Sequence, residues 1–363
     1  MAINLRSPYY IGTTYTNTAY GTLNISIWDG NYTSPVTAQY SLRKSAIGSS
    51  VDVFFEISEL IKDYIDITFN GDYAGQTVWV NTVRNAYDSN NNVINSTPIT
   101  GTQLAFDGYS YFEEVQAVTP PVLISNRELF VLDDNTFRVP IYTLTNPVVT
   151  FFKDGEVIAS ETFSSGGESA NQIKYVSIYG DDTNYDTYQE RVIEDYGTFE
   201  DSYCLQSFFD KYSIGAVDKI TVSDSNGIET IKVNVIEECK YEPKKVTFIN
   251  KFGALQDMYF FKKSKENLTI KKESYKSNIA LGYGGYNSTN HVNRDFNVVG
   301  NESISLSSGY LSEEYNEVFK QLLLSEKVWI TNILETGEQV LPINVKTSSI
   351  AYKTSVNDKL VDY

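Results

Sequence analysis

Short runs in which apolar and polar residues alternate, broken by turn residues, recur along this sequence. A period of two puts every second side chain on one face of an extended strand, so such runs fold as half-buried antiparallel sheets. Residues 21–28 are the clearest case. Leu23, Ile25 and Ile27 interleave with Thr22, Asn24 and Ser26, and Asp29-Gly30 follows as a hairpin turn. Leu5, Ser7, Tyr9 and Ile11 alternate in the same way with Arg6, Pro8, Tyr10 and Gly12. Further strands are expected at 37–44, 51–55, 77–84 and 109–117. One helix interrupts them, because Ile57, Leu60, Ile61, Tyr64 and Ile65 repeat at helical spacing behind Ser58 as N-cap. Residues 1–118 thus read as a β-sandwich of the immunoglobulin or fibronectin kind, without the Cys-Trp-Cys hallmark.

Thr119-Pro120-Pro121 is the best linker, since two prolines hold the backbone extended and cannot join a central strand. Beyond it, strands at 122–125, 127–132, 137–144, 148–153 and 157–163 are expected, the last two joined by Asp154-Gly155. A hairpin of 219–222 and 229–236 around Asn226-Gly227 closes a second sandwich over 119–241. Its acidic excursion at 180–202 is followed by a short helix at 202–212. Residues 242–363 read as an α+β domain. Strands at 245–253, 257–262 and 268–276 precede a glycine- and asparagine-rich loop from 282. Next comes a helix with Ser312 as cap, Glu313 and Glu314 at its positive end, an apolar stripe of Tyr315, Val318, Phe319, Leu322 and Leu323, and Lys327 beyond its negative end. Strands at 328–334, 340–347 and 358–363 complete an antiparallel sheet with one covering helix. The fold class is therefore mainly β, and 363 residues suffice for several cores.

Charge is segregated. The net value is −17, which disfavours a nucleic-acid-coating role for the whole chain. Residues 243–279 nonetheless hold nine lysines against Asp257, Glu266 and Glu273, while residues 181–201 hold eight acids against Arg191. Asp181, Asp182, Asp186, Glu194 and Asp195 on one side, with Lys262, Lys263, Lys271 and Lys272 on the other, are candidate contacts between copies of the chain. Two solvated faces without a partner give the same pattern. Phe252, Tyr259, Phe260 and Phe261 among the lysines also suggest a base-stacking platform, against the plainer reading of a charged exposed strand. Tyrosine, at 28 residues, is unusually frequent and is enriched where proteins meet.

Reaction chemistry finds little footing. His291 is the only histidine and sits in a polar loop; Cys204 and Cys239 lack the spacing of a metal site and read as buried, unpaired thiols. Asp181, Asp182, Asn184 and Asp186 lack the glycine and terminal glutamate of a calcium loop. The pairs Glu113-Glu114 and Asp133-Asp134 point to opposite faces of a strand, and the glycines at 282, 284 and 285 open no phosphate-binding helix. No enzyme, cofactor or metal is expected. No apolar run is long enough to span a membrane, and the amino terminus is unlike a secretory signal, so folding in a cytoplasm is expected.

The strings Val246-Thr-Phe-Ile-Asn-Lys-Phe-Gly-Ala-Leu-Gln-Asp-Met-Tyr-Phe-Phe261 and Leu268-Thr-Ile-Lys-Lys-Glu-Ser-Tyr-Lys276 resemble virion proteins of tailed bacteriophages, including crAss-like and other phages of Bacteroidetes. Residues 3–10, 342–347 and 353–360 share the resemblance. It implies a structural protein of the tail, neck or baseplate, built of β-sandwich modules that assemble in rings in the host cytoplasm. Its partners would be copies of itself and other virion proteins, and no catalytic residue is carried over. A receptor- or glycan-binding module, gripping sugars with loops such as 88–97 or 282–294, is the alternative.

Overall fold

The computed structural model describes residues 2–29, 37–47, 51–74, 76–114, 119–132, 136–163, 172–179, 217–278, 284–285, 288–334, 337–349 and 360–362. Among them 53% lie in strands and 6% are helical, in two helices, so the chain is mainly β with several sheets.

The first sheet and its cover come from β1 (Ile3–Asn4), β2 (Tyr10–Thr14), β3 (Tyr20–Trp28), β4 (Tyr40–Ser45), β5 (Asp52–Glu56), β6 (Thr77–Tyr87) and β7 (Ile99–Phe106). Five strands run in the order β1-β7-β6-β3-β4, and β2 pairs with β5. Leu23, Ile25 and Ile27 of β3 pack with Val53 and Phe55 of β5, as the alternation of residues 21–28 requires. Gly30 of the expected Asp29-Gly30 turn lies outside the described residues. Strands β3 and β4 pair from Tyr20↔Ser45 to Ile25↔Tyr40, and the Gln39 side chain serves as a further strand partner, donating to the Ile27 carbonyl and accepting from its amide at 2.8 Å each. Helix α1 (Ser58–Lys62) has Ile57 at its N-cap. The carboxylate of Glu56, not Ser58, supplies the acceptor, taking the Ser58 amide at 2.9 Å and its hydroxyl. The strand expected from Tyr109 is absent among described residues 109–114, which form a turn closed by the Glu114 amide donating to the Tyr111 carbonyl.

The second group comprises β8 (Glu128–Leu132), β9 (Thr136–Tyr142), β10 (Val148–Lys153), β11 (Glu156–Thr162), β12 (Ile173–Tyr179), β13 (Lys219–Asp224) and β14 (Gly227–Ile236). A sheet in the order β11-β10-β13-β14-β8 faces the β12-β9 pair. Asp154 and Gly155 both adopt positive φ, 51° and 84°, so their hairpin has the turn its sequence predicts. The other hairpin slips by one: Asp224 pairs with Gly227, making Ser225 and Asn226 the turn residues. Residues 122–125 form no strand, only a bridge from Val122 to Ile141.

The third group holds β15 (Lys244–Ile249), β16 (Leu255–Phe260), β17 (Lys265–Lys276), β18 (Asn293–Ser305), β19 (Tyr310–Ser312), α2 (Tyr315–Leu324), β20 (Val328–Leu334), β21 (Gly337–Ile343) and β22 (Leu360–Asp362). Four strands in the order β16-β15-β20-β21 are covered by α2, whose Tyr315, Val318, Phe319 and Leu322 bury against Val246, Phe248, Met258 and Phe260. Glu314, not Ser312, occupies the N-cap of α2, because Ser312 ends β19. The final strand pairs with β19, Leu360 opposite Ser312.

A central core lies between the three groups. Trp79 and Phe106, Leu123, Tyr142 and Tyr175, and Ile249, Leu255 and Trp329 all belong to one buried cluster. The sheets around it act as walls that feed a core on each side. In β6, Val78 and Val80 enter the first core while Trp79 enters the central one; in β9, Phe137, Val139 and Ile141 enter the second core while Tyr142 turns to the centre. Strand β16 is buried along its whole length.

Candidate interface

Strands β17 and β18 pair with each other and with no other described strand. Twelve pairs run antiparallel from Lys265↔Ser305 to Lys276↔Asn293. At roughly 3.4 Å per residue the ribbon is about 40 Å long. All twelve residues of β17 are exposed, as are residues 293–302 of β18. Solvent therefore reaches both faces, and a free two-stranded hairpin in water is at best marginally stable.

The register sorts its side chains. Glu266, Leu268, Ile270 and Lys272 share a face with Ile304, Glu302, Gly300 and Val298 opposite them. Leu268, Ile270 and Val298 make an apolar strip there, 59%, 52% and 57% exposed. Gly300, opposite Ile270, leaves a notch in the strip, since a Cβ at that position would lie 3.4 Å from Leu268 Cδ1. The other face carries Lys265, Lys271 and Arg294 with Val299, and beyond a bulge between Glu273 and Ser274 Tyr275 meets Phe296 at 6.2 Å between ring centres.

Of the lysines singled out from sequence, Lys271 and Lys272 lie on the ribbon but on opposite faces, Lys272 reaching Asp295 at 3.4 Å. Lys262 sits at the ribbon's base and binds Glu238 at 2.9 Å, and Lys263 beside it is exposed. Asp181, Asp182, Asp186, Glu194 and Asp195 lie outside the described residues, as do the 180–202 excursion, the 202–212 helix, Asp133-Asp134 and Cys204. Cys239 is an exposed free thiol, contrary to the buried thiol expected. The stacking platform does not exist as a surface: Tyr259, Phe260 and Phe261 are buried in cores and Phe252 is partly buried. Strand β18 escapes the sequence pattern because Phe296, Val298 and Val299 are set among asparagines, serines, charges and Gly300, with no sustained apolar alternation.

Polar groups with perturbed protonation occupy joints between the groups of strands. Asp257 of β16 is buried; Tyr73 donates to its two oxygens at 2.6 and 2.7 Å, and Thr247 to Oδ1 at 2.7 Å. Burial pushes the Asp257 carboxyl up against the opposing pull of Lys245, these hydrogen bonds and Arg138, and burial beside Asp257 pushes the Tyr73 phenol far up. Nearby, Asn250 Nδ2 donates to the Leu123 carbonyl at 2.6 Å, while the Asn250 main-chain carbonyl accepts from the Arg6 guanidinium at 2.7 Å. A cleft lined by Asn4, Tyr109, Glu114 and Lys251 encloses about 50 Å³, room for a few waters. Among the described residues no three His, Cys, Asp or Glu side chains are grouped to hold a metal ion, and His291 is exposed. What converges in these joints is hydrogen bonding that locks units together.

No protein-family model matches the chain, and no curated protein matches it.

Proposed function

We propose that this chain is a structural component of a tailed-bacteriophage virion, in the tail, neck or baseplate, that works by subunit contact in a ring. The observation that carries the reading is the β17–β18 ribbon, an exposed two-stranded arm with an apolar strip and, among the described residues, no third strand on either edge. Exposed edges and contiguous apolar surface are liabilities in a lone protomer and assets in an assembled one. The resemblance of residues 246–261 and 268–276 to virion proteins supports the same reading, since the second string lies within β17. The buried, interlocked polar groups suit a rigid building block. Residues 1–118 and 119–241 fit immunoglobulin- or fibronectin-like sandwiches, each a five-stranded sheet faced by a two-stranded one, and 242–363 an α+β domain.

The glycan-binding alternative has weaker support at the 88–97 loop. Tyr20, which bonds Asn91 at 3.1 Å, has its ring stacked on Tyr87 at 4.7 Å and covered by the Arg43 guanidinium at 3.7 Å, leaving no open face for a sugar. Immunogold labelling and mass spectrometry of purified particles test the proposal. The chain is expected in stoichiometric amounts at the tail, neck or baseplate, and its absence from washed particles refutes the reading.

A further inference from the structure

We infer that Asn70 is a site of spontaneous deamidation, where the chain converts its own backbone to isoaspartate between two residues that anchor the central core. The inference needs no partner and stands apart from the virion reading. Asn-Gly occurs at Asn70-Gly71 and at Asn226-Gly227, and glycine leaves the amide nitrogen that follows the asparagine unshielded by any Cβ. In the reaction the Gly71 nitrogen attacks Asn70 Cγ and forms a new C–N bond. The Cγ–Nδ2 bond breaks, solvent carries the Gly71 proton to the departing nitrogen, and ammonia leaves. Water then opens the cyclic imide, giving aspartate where it cleaves the new bond and isoaspartate where it cleaves the original peptide bond. The fold treats the two sites differently. Asn70 is exposed in the connection between α1 and β6, and its Oδ1 accepts from the Asp72 amide at 3.0 Å. The ring closed by that bond contains both Cγ and the Gly71 nitrogen, which keeps them close, and the donor is in place for the oxyanion that forms as nitrogen adds. The Gly71 amide makes no hydrogen bond among the described residues, and a Cβ on Gly71 would meet only Val340, at 3.9 Å. At Asn226 the nucleophile is tied down. The Gly227 amide donates to Asp224 Oδ1 at 3.2 Å, and Asn226 Nδ2 donates to Asp224 Oδ2 at 3.1 Å, which turns the side chain back toward residue 224. The position of Asn70 gives the reaction a consequence. Phe69, edge-on to Trp329 at 5.7 Å, and Tyr73, donor to Asp257, flank it. Isoaspartate lengthens the main chain between these anchors and adds a negative charge, so the segment no longer fits both seats. The reaction is a slow, irreversible release of this segment from the central core.

Peptide mapping by mass spectrometry of the purified full-length chain, incubated in mildly alkaline buffer and sampled over time, tests this. Conversion of amide to acid is followed at residues 70 and 226 in the folded chain, in the chain unfolded by guanidinium, and in folded Asp224→Ala. Isoaspartate-specific methylation separates the two products. In the folded wild type Asn70 is expected to convert at least about fivefold faster than Asn226, the factor that one hydrogen bond sets. On unfolding the two rates should converge, since both sites reduce to Asn-Gly in an open chain. Asp224→Ala frees the Gly227 amide and should speed Asn226 by about the same factor while leaving Asn70 unchanged. Chain carrying isoaspartate at position 70, separated from fresh protein by its extra charge, is expected to unfold at a lower urea concentration. A folded chain in which Asn70 converts no faster than Asn226, or a ratio of rates that is the same folded and unfolded, overturns the assignment of the site. A modified chain as stable as the fresh one overturns its link to the central core.

Discussion

Replacing Tyr73 by Phe removes one hydroxyl and almost nothing else. The ring stays edge-on to Phe69 and Tyr175 at 5.0 and 5.5 Å, with the Arg138 guanidinium 5.0 Å from its centre. What is lost is the donor to both oxygens of Asp257, a carboxyl 3% exposed that then keeps Thr247 as its short hydrogen bond. A hydrogen bond to a buried carboxyl contributes about 0.5–3 kcal/mol, the upper part of the range where the group is charged, and Tyr73→Phe should destabilise the fold by an amount in that range. Urea unfolding followed by tryptophan fluorescence is a direct assay, because Trp79 and Trp329 lie in the central core and Trp28 packs against it. The sign of the pH dependence is fixed by burial, which raises the Asp257 carboxyl in the fold. Such a group binds its proton more tightly folded than unfolded. Wild-type stability relative to Asp257→Asn should therefore fall as pH rises from about 3.9, the ordinary Asp value, through the raised value, and level off above it. A Tyr73→Phe change under about 0.5 kcal/mol, or a wild-type-to-Asp257→Asn gap that ignores pH, would refute the claim that this carboxyl is a buried joint between residues 184 positions apart.

Two glycines with the same backbone sign separate conformation from crowding. Gly155→Ala, at φ +84 with open space around it, should cost about 1 kcal/mol, whereas Gly253→Ala, at φ +72 with a new Cβ 2.8 Å from the Asp107 backbone, should cost several times more. Equal losses in urea titration would argue against that contact. Glu56→Ala removes the acceptor at the start of α1 and should lower stability by about 0.5–2 kcal/mol, while Ser58→Ala should retain the amide bond and lose less. Phe248→Ala empties a fully buried site under α2 and should destabilise by about 3–5 kcal/mol in the same titration, with hydrogen exchange in α2 rising most.

Where a strand has one wet and one dry face, its sequence announces it. Residues 21–28 and the Asp154-Gly155 hairpin are of that kind, and the covering stripe of α2 follows the helical version of the rule. Strands that divide two cores are harder to read. Strand β12 sends Ile173 and Tyr175 to the central core and Val176 to the second, so no alternation marks it. Strand β7 hides its Leu104-Ala105-Phe106 end behind four polar or small residues paired along β6. Strand β18 fails for the opposite reason, being wet on both faces. Lys271 and Lys272 were legible as exposed charges, but that they belong to a ribbon depended on a partner strand the pattern did not reveal. The joints formed by Tyr73, Asp257 and Asn250 had no local signal, since their partners are distant in sequence.

The central core governs how the molecule bears load. A string of beads bends at its linkers; here the segment after Pro120-Pro121 gives Leu123 to the middle of the molecule, with its amide held by Pro140 and its carbonyl by Asn250. Tilting one group of strands against another therefore means prising apart packed aromatic rings and breaking buried hydrogen bonds at once. A pull applied at any sheet is passed to the other two as through a single stiff body, leaving the projecting ribbon as the compliant element.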